Sequence, residues 1–369
     1  GLGSAPGPRE ASAEWGPRPK RSAAGRRSER KMTSKFPVGK LPTAVLAEIL
    51  ARHAPRDPRV VVGPGIGLDT AVLDMGDRYL VAKTDPITFA TDLIGWYAVH
   101  VNANDLACSG ARPLWFLANV LLPPARADRE LAEAIIQQID EACRALGASL
   151  VGGHTEVTIG LERPIVVGCL LGEVDKQALI TTQGARPGDA VLLAGGIPIE
   201  GTALIAREKA AELADRFEPE FLARCRELLF TPGISVVGYA AQATGAAQVH
   251  PMHDPTEGGL AAGLWELAIA SGCSLSVERE RIPILPEGQR LCQALGLDPL
   301  ATIASGALLL CVAPEGAAPL CEMFAGQGTR CEIIGEVGRA GEAAVVLRSG
   351  GQSAPLALPE QDEIARLFG

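Results

Sequence analysis

Apolar and polar positions along this chain follow two periods, and the switches between them outline its elements. Leu41, Val45, Leu46 and Ile49 at helical spacing predict a short helix over 41–51. Val60-Val61-Val62 reads as a strand, a glycine-rich loop follows, and β-like runs over 70–73 and 79–83 pair across the turn Met75-Gly76-Asp77. A helix is predicted over 93–109, closed by Gly110, and a strand over 114–122, ended by Pro123-Pro124. The amphipathic helix over 129–146 has Asp128 as N-cap and Gly147 just past its end. Strands over 149–151 and 164–172 complete the first half. After the turn cluster Ala185-Arg186-Pro187-Gly188-Asp189, strands are predicted over 190–194, 274–278, 307–312, 331–337 and 344–348. Helices are predicted over 201–213, 222–229, 234–241, 257–270, 288–295 and 315–324. Strands and helices mix without regular βα alternation, which favours an α+β fold over a doubly wound one. The expected organisation is a disordered tail or tag over residues 1–35, an N-terminal domain over 36–184, a C-terminal domain over 185–349 and a tail over 350–369.

Charge changes the picture more than composition does. The net charge of −9 hides an asymmetry: residues 1–35 hold nine Lys/Arg against three Asp/Glu, and the remainder holds 25 against 40. A body that acidic repels phosphate backbones, which argues against a nucleic-acid partner. The first 31 residues are rich in Gly, Pro, Ser, Ala and Arg and show no apolar period, and Met32 looks like the start of the folded part. No apolar run approaches the roughly 20 residues that span a bilayer, so no membrane association is expected. The nine cysteines are scattered and form no CxxC pair, which fits cysteines packed as small hydrophobes in a reducing cytoplasm.

Six segments could carry chemistry. His253-Asp254-Pro255-Thr256-Glu257-Gly258-Gly259-Leu260 runs into a helix, whose N-terminus presents free N–H groups that can hold a phosphate. Taken alone it reads equally as an N-capped helix whose glycines allow close packing. Gly63-Pro64-Gly65-Ile66-Gly67-Leu68-Asp69 lacks the dinucleotide spacing and precedes a strand, so it is either a loop able to lie over phosphates or a plain glycine turn. Lys83-Thr84-Asp85-Pro86 ends a strand in a carboxylate. Asn102-Ala103-Asn104-Asp105 puts polar residues into an apolar helix, where they need either a partner or solvent. Gly152-Gly153-His154-Thr155-Glu156 places His154 and Glu156 on one face if the strand continues; they could bind a metal, relay a proton or bond each other. The glycine turn after 190–194 resembles a phosphate cradle without the Lys-Ser/Thr ending. If Asp69, Asp85, Asp105 and Asp254 converge, they need a cation: carboxylates ~5 Å apart repel by roughly 3 kcal/mol at an effective dielectric of about 20. Mg²⁺ with a nucleotide fits that need.

In their order these segments, with Leu68-Asp69-Thr70-Ala71-Val72-Leu73, Ser109-Gly110-Ala111, Pro187-Gly188-Asp189, Ile199-Glu200-Gly201-Thr202 and Ser305-Gly306-Ala307-Leu308, resemble the AIR synthase-related (PurM-like) superfamily. The likeness covers about residues 36–345 and is nearest to the HypE branch, concerned with hydrogenase maturation, and its paralogues. It implies a two-domain fold in which an N-terminal ATP-binding sheet domain dimerises and a C-terminal α/β domain packs beside it. ATP and Mg²⁺ would lie in a cleft between the N-terminal domain and its homodimer partner. Metal positions are then Asp69, Asp85, Asp105 and Asp254. Nucleotide contacts are Gly65, Gly67, Asn104, Gly153, Thr155, Thr256 and Gly258, and catalytic candidates are Asp105, His154 and Asp254. The implied reaction is phosphoryl transfer from ATP to an oxygen of a small-molecule or carbamoyl-type acceptor, by positioning and charge neutralisation.

Two departures stand out. HypE resembles a chain ending in a cysteine that carries the group to be dehydrated, whereas this sequence ends Ala365-Arg366-Leu367-Phe368-Gly369 with its last cysteine at Cys331. A different acceptor is therefore expected. His154 stands where relatives often have a carboxylate. A selenophosphate synthetase is disfavoured, because the glycine loop has no cysteine. The alternatives are a non-catalytic nucleotide-binding maturation or scaffold protein with a protein partner, and a metal-dependent hydrolase built on His154, Glu156 and the aspartates.

Overall fold

Two mixed sheets with helices make up the described part of the chain, and the contact between them is where the acidic segments meet. The computed structural model describes residues 36–368 apart from 37, 54 and 342. The tail or tag expected over residues 1–35 lies outside the described residues.

The first sheet holds β1 (Val60–Val62), β2 (Ala71–Asp74), β3 (Arg78–Ile87), β4 (Arg112–Leu122), β5 (Ser149–Val157) and β6 (Ile165–Asp175), in the order β1-β2-β3-β6-β4-β5. Its pairs are antiparallel except β4 with β5. After α1 (Thr43–Leu50), helix α2 (Ile94–Cys108) leads from β3 to β4, and α3 (Arg129–Ala145) supplies the crossover that parallel β4 and β5 require. The Asp128 side chain accepts a 2.8 Å bond from Leu131 N, so the expected cap forms, and α3 buries Ile135, Ile139, Ala142 and Cys143.

The second sheet holds β7 (Ala190–Ala194), β8 (Val249–His253), β9 (Cys273–Glu278), β10 (Leu308–Val312), β11 (Cys331–Ala340), β12 (Ala344–Ser349) and β13 (Gln352–Pro355), in the order β13-β12-β9-β11-β7-β10-β8. Its helices are α4 (Ile199–Glu208), α5 (Ala210–Leu213), α6 (Pro219–Glu227), α7 (Val237–Ala246), α8 (Gly259–Ser271), α9 (Pro286–Leu295), α10 (Pro314–Gly326) and α11 (Ala365–Phe368). Strands β7 and β10 are buried along their whole length because both faces are covered. Val191, Leu193 and Leu309 pack with Leu260, Leu264 and Leu267 of α8, while Leu192, Leu308 and Leu310 pack with Ala240 of α7 and Leu320 and Phe324 of α10.

Helix α2 is the element that both halves share. All of its residues except Trp96 are buried, because it lies on β3 and β6 and also meets α7 and β8. A helix enclosed on every side is apolar on every side, so its polar residues are the informative ones.

Sequence and structure differ in places that have physical causes. Strand β5 runs to Val157 instead of stopping at 151, because pairing with β4 carries the glycines along. Strand β8 carries Pro251 and two histidines, a pattern too weak to predict; it sits at the sheet edge, where proline is tolerated. Residues 350–368 pack against the second half, where residues 350–369 were expected as a tail. β13 pairs with β12, Ile364 is fully buried, and the Asp362 carboxylate accepts from Gly258 N at 2.6 Å and Ile364 N at 2.8 Å.

Asp362→Ala should therefore lower the unfolding free energy by about 1–3 kcal/mol, since it strands a buried N–H group and removes the tie to α8. Denaturant unfolding of the variant checks this; a change below about 0.5 kcal/mol would show that the C-terminal segment contributes nothing.

Candidate functional site

Asn104 points from α2 toward the second half of the protein, and Asp105 meets Lys83 on β3. The Asn104 side chain donates to Ile234 O at 2.8 Å and to Asp254 Oδ2 at 2.9 Å, and its Oδ1 accepts from Val236 N at 2.8 Å. Both ends of this amide are thus engaged in holding the start of α7 and the end of β8 against α2. Asn104, expected as a nucleotide contact, acts in this structure as the clamp that sets Asp254 beside Asp105.

The structure brings the four aspartates into one neighbourhood. Lys83 on β3 lies among them, with Nζ 2.8 Å from Asp105 Oδ2 and 3.4 Å from Asp85 Oδ2. Lys83 also lowers Asp69 through its charge. Burial raises the Asp105 carboxyl to about 7, against the pull of Lys83 and with the charges of Asp69 and Asp85 adding to it. Burial likewise raises Asp85 and, far more, Asp254, which also feels Asp105. Asp254 Oδ1 is buried with no hydrogen-bond partner among the described residues.

Asp69 differs from the others. Burial pushes its carboxyl up, but the hydrogen bond and charge of His253, with the charges of Lys83 and Lys40, hold it well below the usual range. His253 Nδ1 is 3.2 Å from Asp69 Oδ2, and its Nε2 is 2.8 Å from Glu266 Oε2 on α8. Burial lowers the His253 imidazole, yet those two carboxylates outweigh it and raise it to about 10. Lys40 extends the chain of charges, 3.3 Å from Glu266 Oε1 and from Thr256 Oγ1. A narrow cleft opens here, lined by Asp69, Asp105, Cys108, Thr181, Thr182 and His253.

The glycines sort into different roles. Gly67 has φ +69°, and a Cβ there would come within 2.5 Å of Glu266 O, so the loop that ends in Asp69 is pressed onto α8. Gly65 sits in the same loop, bridged to Leu68. The mouth of α8 is not free for a phosphate, contrary to the reading of the helix start alone. Gly258 N donates to Asp362 and Ala261 N to Leu300 O at 2.8 Å, and a Cβ at Gly259 (φ +60°) would meet Leu300 O and Thr302 O at 2.6 Å.

Gly153, His154 and Thr155 lie elsewhere. The register Asp85↔Gly168↔Ala118↔Gly153 puts Gly153 three strands from Asp85, about 14 Å at ~4.8 Å per strand. His154 is exposed on the edge strand β5, its Nε2 3.1 Å from Glu156 Oε2, so the two share a face as expected and meet no aspartate of the cluster. That separation removes the basis for a hydrolase combining His154 and Glu156 with the aspartates.

The donor set fits a hard divalent cation: the aspartates offer only oxygen, and Asp254 Oδ1 has no partner. Among the described residues no group of three or more His, Cys, Asp or Glu side chains is arranged to hold a metal ion as they stand. The ammonium of Lys83 lies where Asp85 and Asp105 approach each other. Sequence reading missed Lys83, His253, Glu266 and Lys40 as site residues. Lys83 and His253 open two of the segments already singled out, but cations beside carboxylates carry no period or motif of their own.

Comparison with known proteins shows the family and the fold. Residues 67–174 match the AIR synthase related protein N-terminal domain, and residues 186–348 match the corresponding C-terminal domain. A carbamoyl dehydratase HypE of Rhizobium leguminosarum bv. viciae is 33% identical over 270 residues, covering 71% of this chain and 72% of the relative. Among solved structures, HypE in its complex with HypF gives a TM-score of 0.68 at 24% identity, covering 86% of this chain and all of that one. HypE in complex with ATP gives 0.63 at 24% identity, covering 84% and 92%. The fold is therefore the PurM-like α+β fold expected from the sequence. No described helix is long and apolar enough to cross a membrane.

Lys83→Met should destabilise the protein by about 3–5 kcal/mol, because it leaves buried carboxylates without their counter-charge. Millimolar Mg²⁺ should restore part of the lost melting temperature in the variant. A Lys83→Met protein as stable as the wild type would mean that the carboxylates are already neutral.

Proposed function

This chain belongs to the AIR synthase-related family, and on that premise we propose that it uses ATP and Mg²⁺ to transfer a phosphoryl group to an oxygen of a small or carbamoyl-type acceptor. The observation that carries the reading is the convergence of Asp69, Asp85 and Asp105 around Lys83, with the buried Asp254 next to Asp105 and its Oδ1 unpartnered among the described residues. So much acidic character, held in place by Asn104 and His253, suits a cation bridging protein and phosphate. When bound, ATP and Mg²⁺ supply the electrophilic phosphorus and its charge neutralisation: the acceptor oxygen bonds to the γ-phosphorus, the bond to the β-phosphate oxygen breaks, ADP leaves, and the acceptor's proton passes to a carboxylate.

The residues of the chain position and neutralise. Asp85, Asp105 and Asp254 would hold the ion, and Lys83, released from Asp85 or Asp105, would face phosphate oxygens. Asp69 is kept ionised and oriented by the His253 imidazolium, which Glu266 fixes from behind. Asn104 keeps the two halves of the site in register.

We also propose a homodimer formed through the first sheet. Every residue of β5 is at least partly accessible, and Val151 and Val157 are exposed at 53% and 57% on an edge with unpaired backbone groups. Such an edge is ordinarily covered. A second copy would cover it, and Gly153, His154 and Thr155 would then act at that interface. The nine unpaired cysteines suit a cytoplasmic protein. A maturation partner, as in the HypE–HypF complex, is a further candidate for capture.

Titration calorimetry with ATP should show Mg²⁺-dependent binding, weakened at least ten-fold in Asp105→Asn and in Asp254→Asn while the circular dichroism of both stays native. No Mg²⁺-dependent binding in the wild type would sink the proposal, and binding without any ADP release across an acceptor panel would favour the scaffold alternative. Val151→Lys should shift the sedimentation coefficient from dimer toward monomer; an unchanged coefficient would place any interface elsewhere.

A further inference from the structure

Cys321 on α10 and Cys331 at the start of β11 bring their sulfurs to 3.6 Å, in hydrogen-bond contact. Among the described residues no other two cysteine side chains share a hydrogen bond. Their exposure differs in a way that matters for chemistry. Cys321 is half-buried, so a small molecule can reach it, whereas Cys331 is 9% exposed and packs with Leu320 and Phe324 of α10. In the sheet Cys331 stands opposite Ala194, the last residue of β7, and Arg330 O accepts from Gly195 N at 2.8 Å. The pair therefore sits where α10, β11 and the glycine turn after β7 meet.

We propose that Cys321 and Cys331 are a reversible disulfide site, closed by a low-molecular-weight disulfide and clamping α10 to the second sheet. It stands apart from the phosphoryl site and does not rest on the function proposed above. Bonded sulfurs lie ~2.05 Å apart, so the two must close by roughly 1.5 Å, a shift that small side-chain torsions supply. The thiolate is the attacking species. The hydrogen bond with Cys331 holds Cys321 below the usual thiol range, with the Arg281 charge adding to it against burial and Glu332. That same bond, with burial, keeps Cys331 well above the range. Cys321 therefore reacts first. Its thiolate bonds to one sulfur of the small disulfide, the old S–S bond breaks, and one small thiolate leaves and takes a proton from water. Cys331 then gives up its proton, bonds to the Cys321 sulfur and expels the second small thiolate, which is protonated in turn. The protein dithiol has lost two electrons and two protons, and the small disulfide has become two thiols. A soft metal ion is the other partner that adjacent thiolates invite, but a structural zinc takes four ligands. Among the described residues no group of three or more His, Cys, Asp or Glu side chains is arranged to hold one. The two cysteines are ten positions apart, so their bond ties a short loop and removes freedom from the unfolded chain.

The test treats the full chain with oxidised glutathione and maps its tryptic peptides by mass. Trypsin cuts after Arg330, between the two cysteines, so the bond shows as two joined peptides that dithiothreitol separates. The peptide ending at Arg330 also carries Cys292 and Cys311, so serine variants identify the partner. Wild type should give the joined peptides and Cys321→Ser should not. Cys331→Ser should stop at a glutathione adduct on Cys321, because the second displacement has lost its thiol. Joined peptides in Cys321→Ser, a persistent adduct on wild-type Cys321, or no reaction at all overturns the proposal. Zinc retained by the purified wild type and lost by both variants overturns it as well, in favour of a metal site. Oxidised wild type should melt roughly 4 °C above the reduced protein, with no such rise in either variant. A rise that is absent or reversed in the wild type would show that the bond does not clamp the native fold, and that too overturns the proposal.

Discussion

The ammonium of Lys83 set between Asp85 and Asp105, in the nearly closed space under α2, is the interaction on which the rest of the site depends. Like charges packed away from water are costly, and a cation among them makes the arrangement tolerable at the expense of a fixed geometry. Asp85 and Lys83 come from β3 and Asp105 from α2, so the interaction ties the sheet to the helix that lies on it. Asn104, next along the same helix, ties that helix to the second half of the chain. The site is therefore a property of the contact between the two halves.

This arrangement explains why some segments do not do what their local chemistry invites. The mouth of α8 looks like an anion site, yet Asp362 and Leu300 O satisfy N–H groups at its start, and Gly258 and Gly259 let the backbone pass close to its neighbours. Asp254 benefits from that fixed loop: it is placed at depth by Asn104 and left with one free oxygen. His253, beside it, is locked between two carboxylates, which raise its imidazole and favour a positive charge beside Asp69. A buried charge held from two sides orients its partner better than one held from a single side.

The edge strand β5 stands in contrast. Among the described residues no strand pairs with its outer edge, its side chains are accessible on both faces, and the His154–Glu156 pair sits there in solvent. Surface pairs of this kind contribute little to stability. Exposed apolar residues on an unpaired edge invite a second strand.

Much of the scaffold was legible in the amino-acid order. Continuous apolar runs marked β7 and β10, alternation marked β9, the capped amphipathic pattern marked α3, and the ordered acidic and glycine segments identified the family. Those signals are local, and local signals survive in sequence. The polar residues of α2 were visible as anomalies, but whether they faced solvent or a partner depended on what packed against every side of the helix. That Lys83 would lie among aspartates, that Asn104 would clamp Asp254, that the α8 mouth would be filled by Asp362 from the far end of the chain, and that His154 would lie three strands away were settled by strand register and by the packing of one half on the other. Electrostatic neighbours are chosen across tens to hundreds of residues of sequence separation, so only the tertiary structure decides which charges meet.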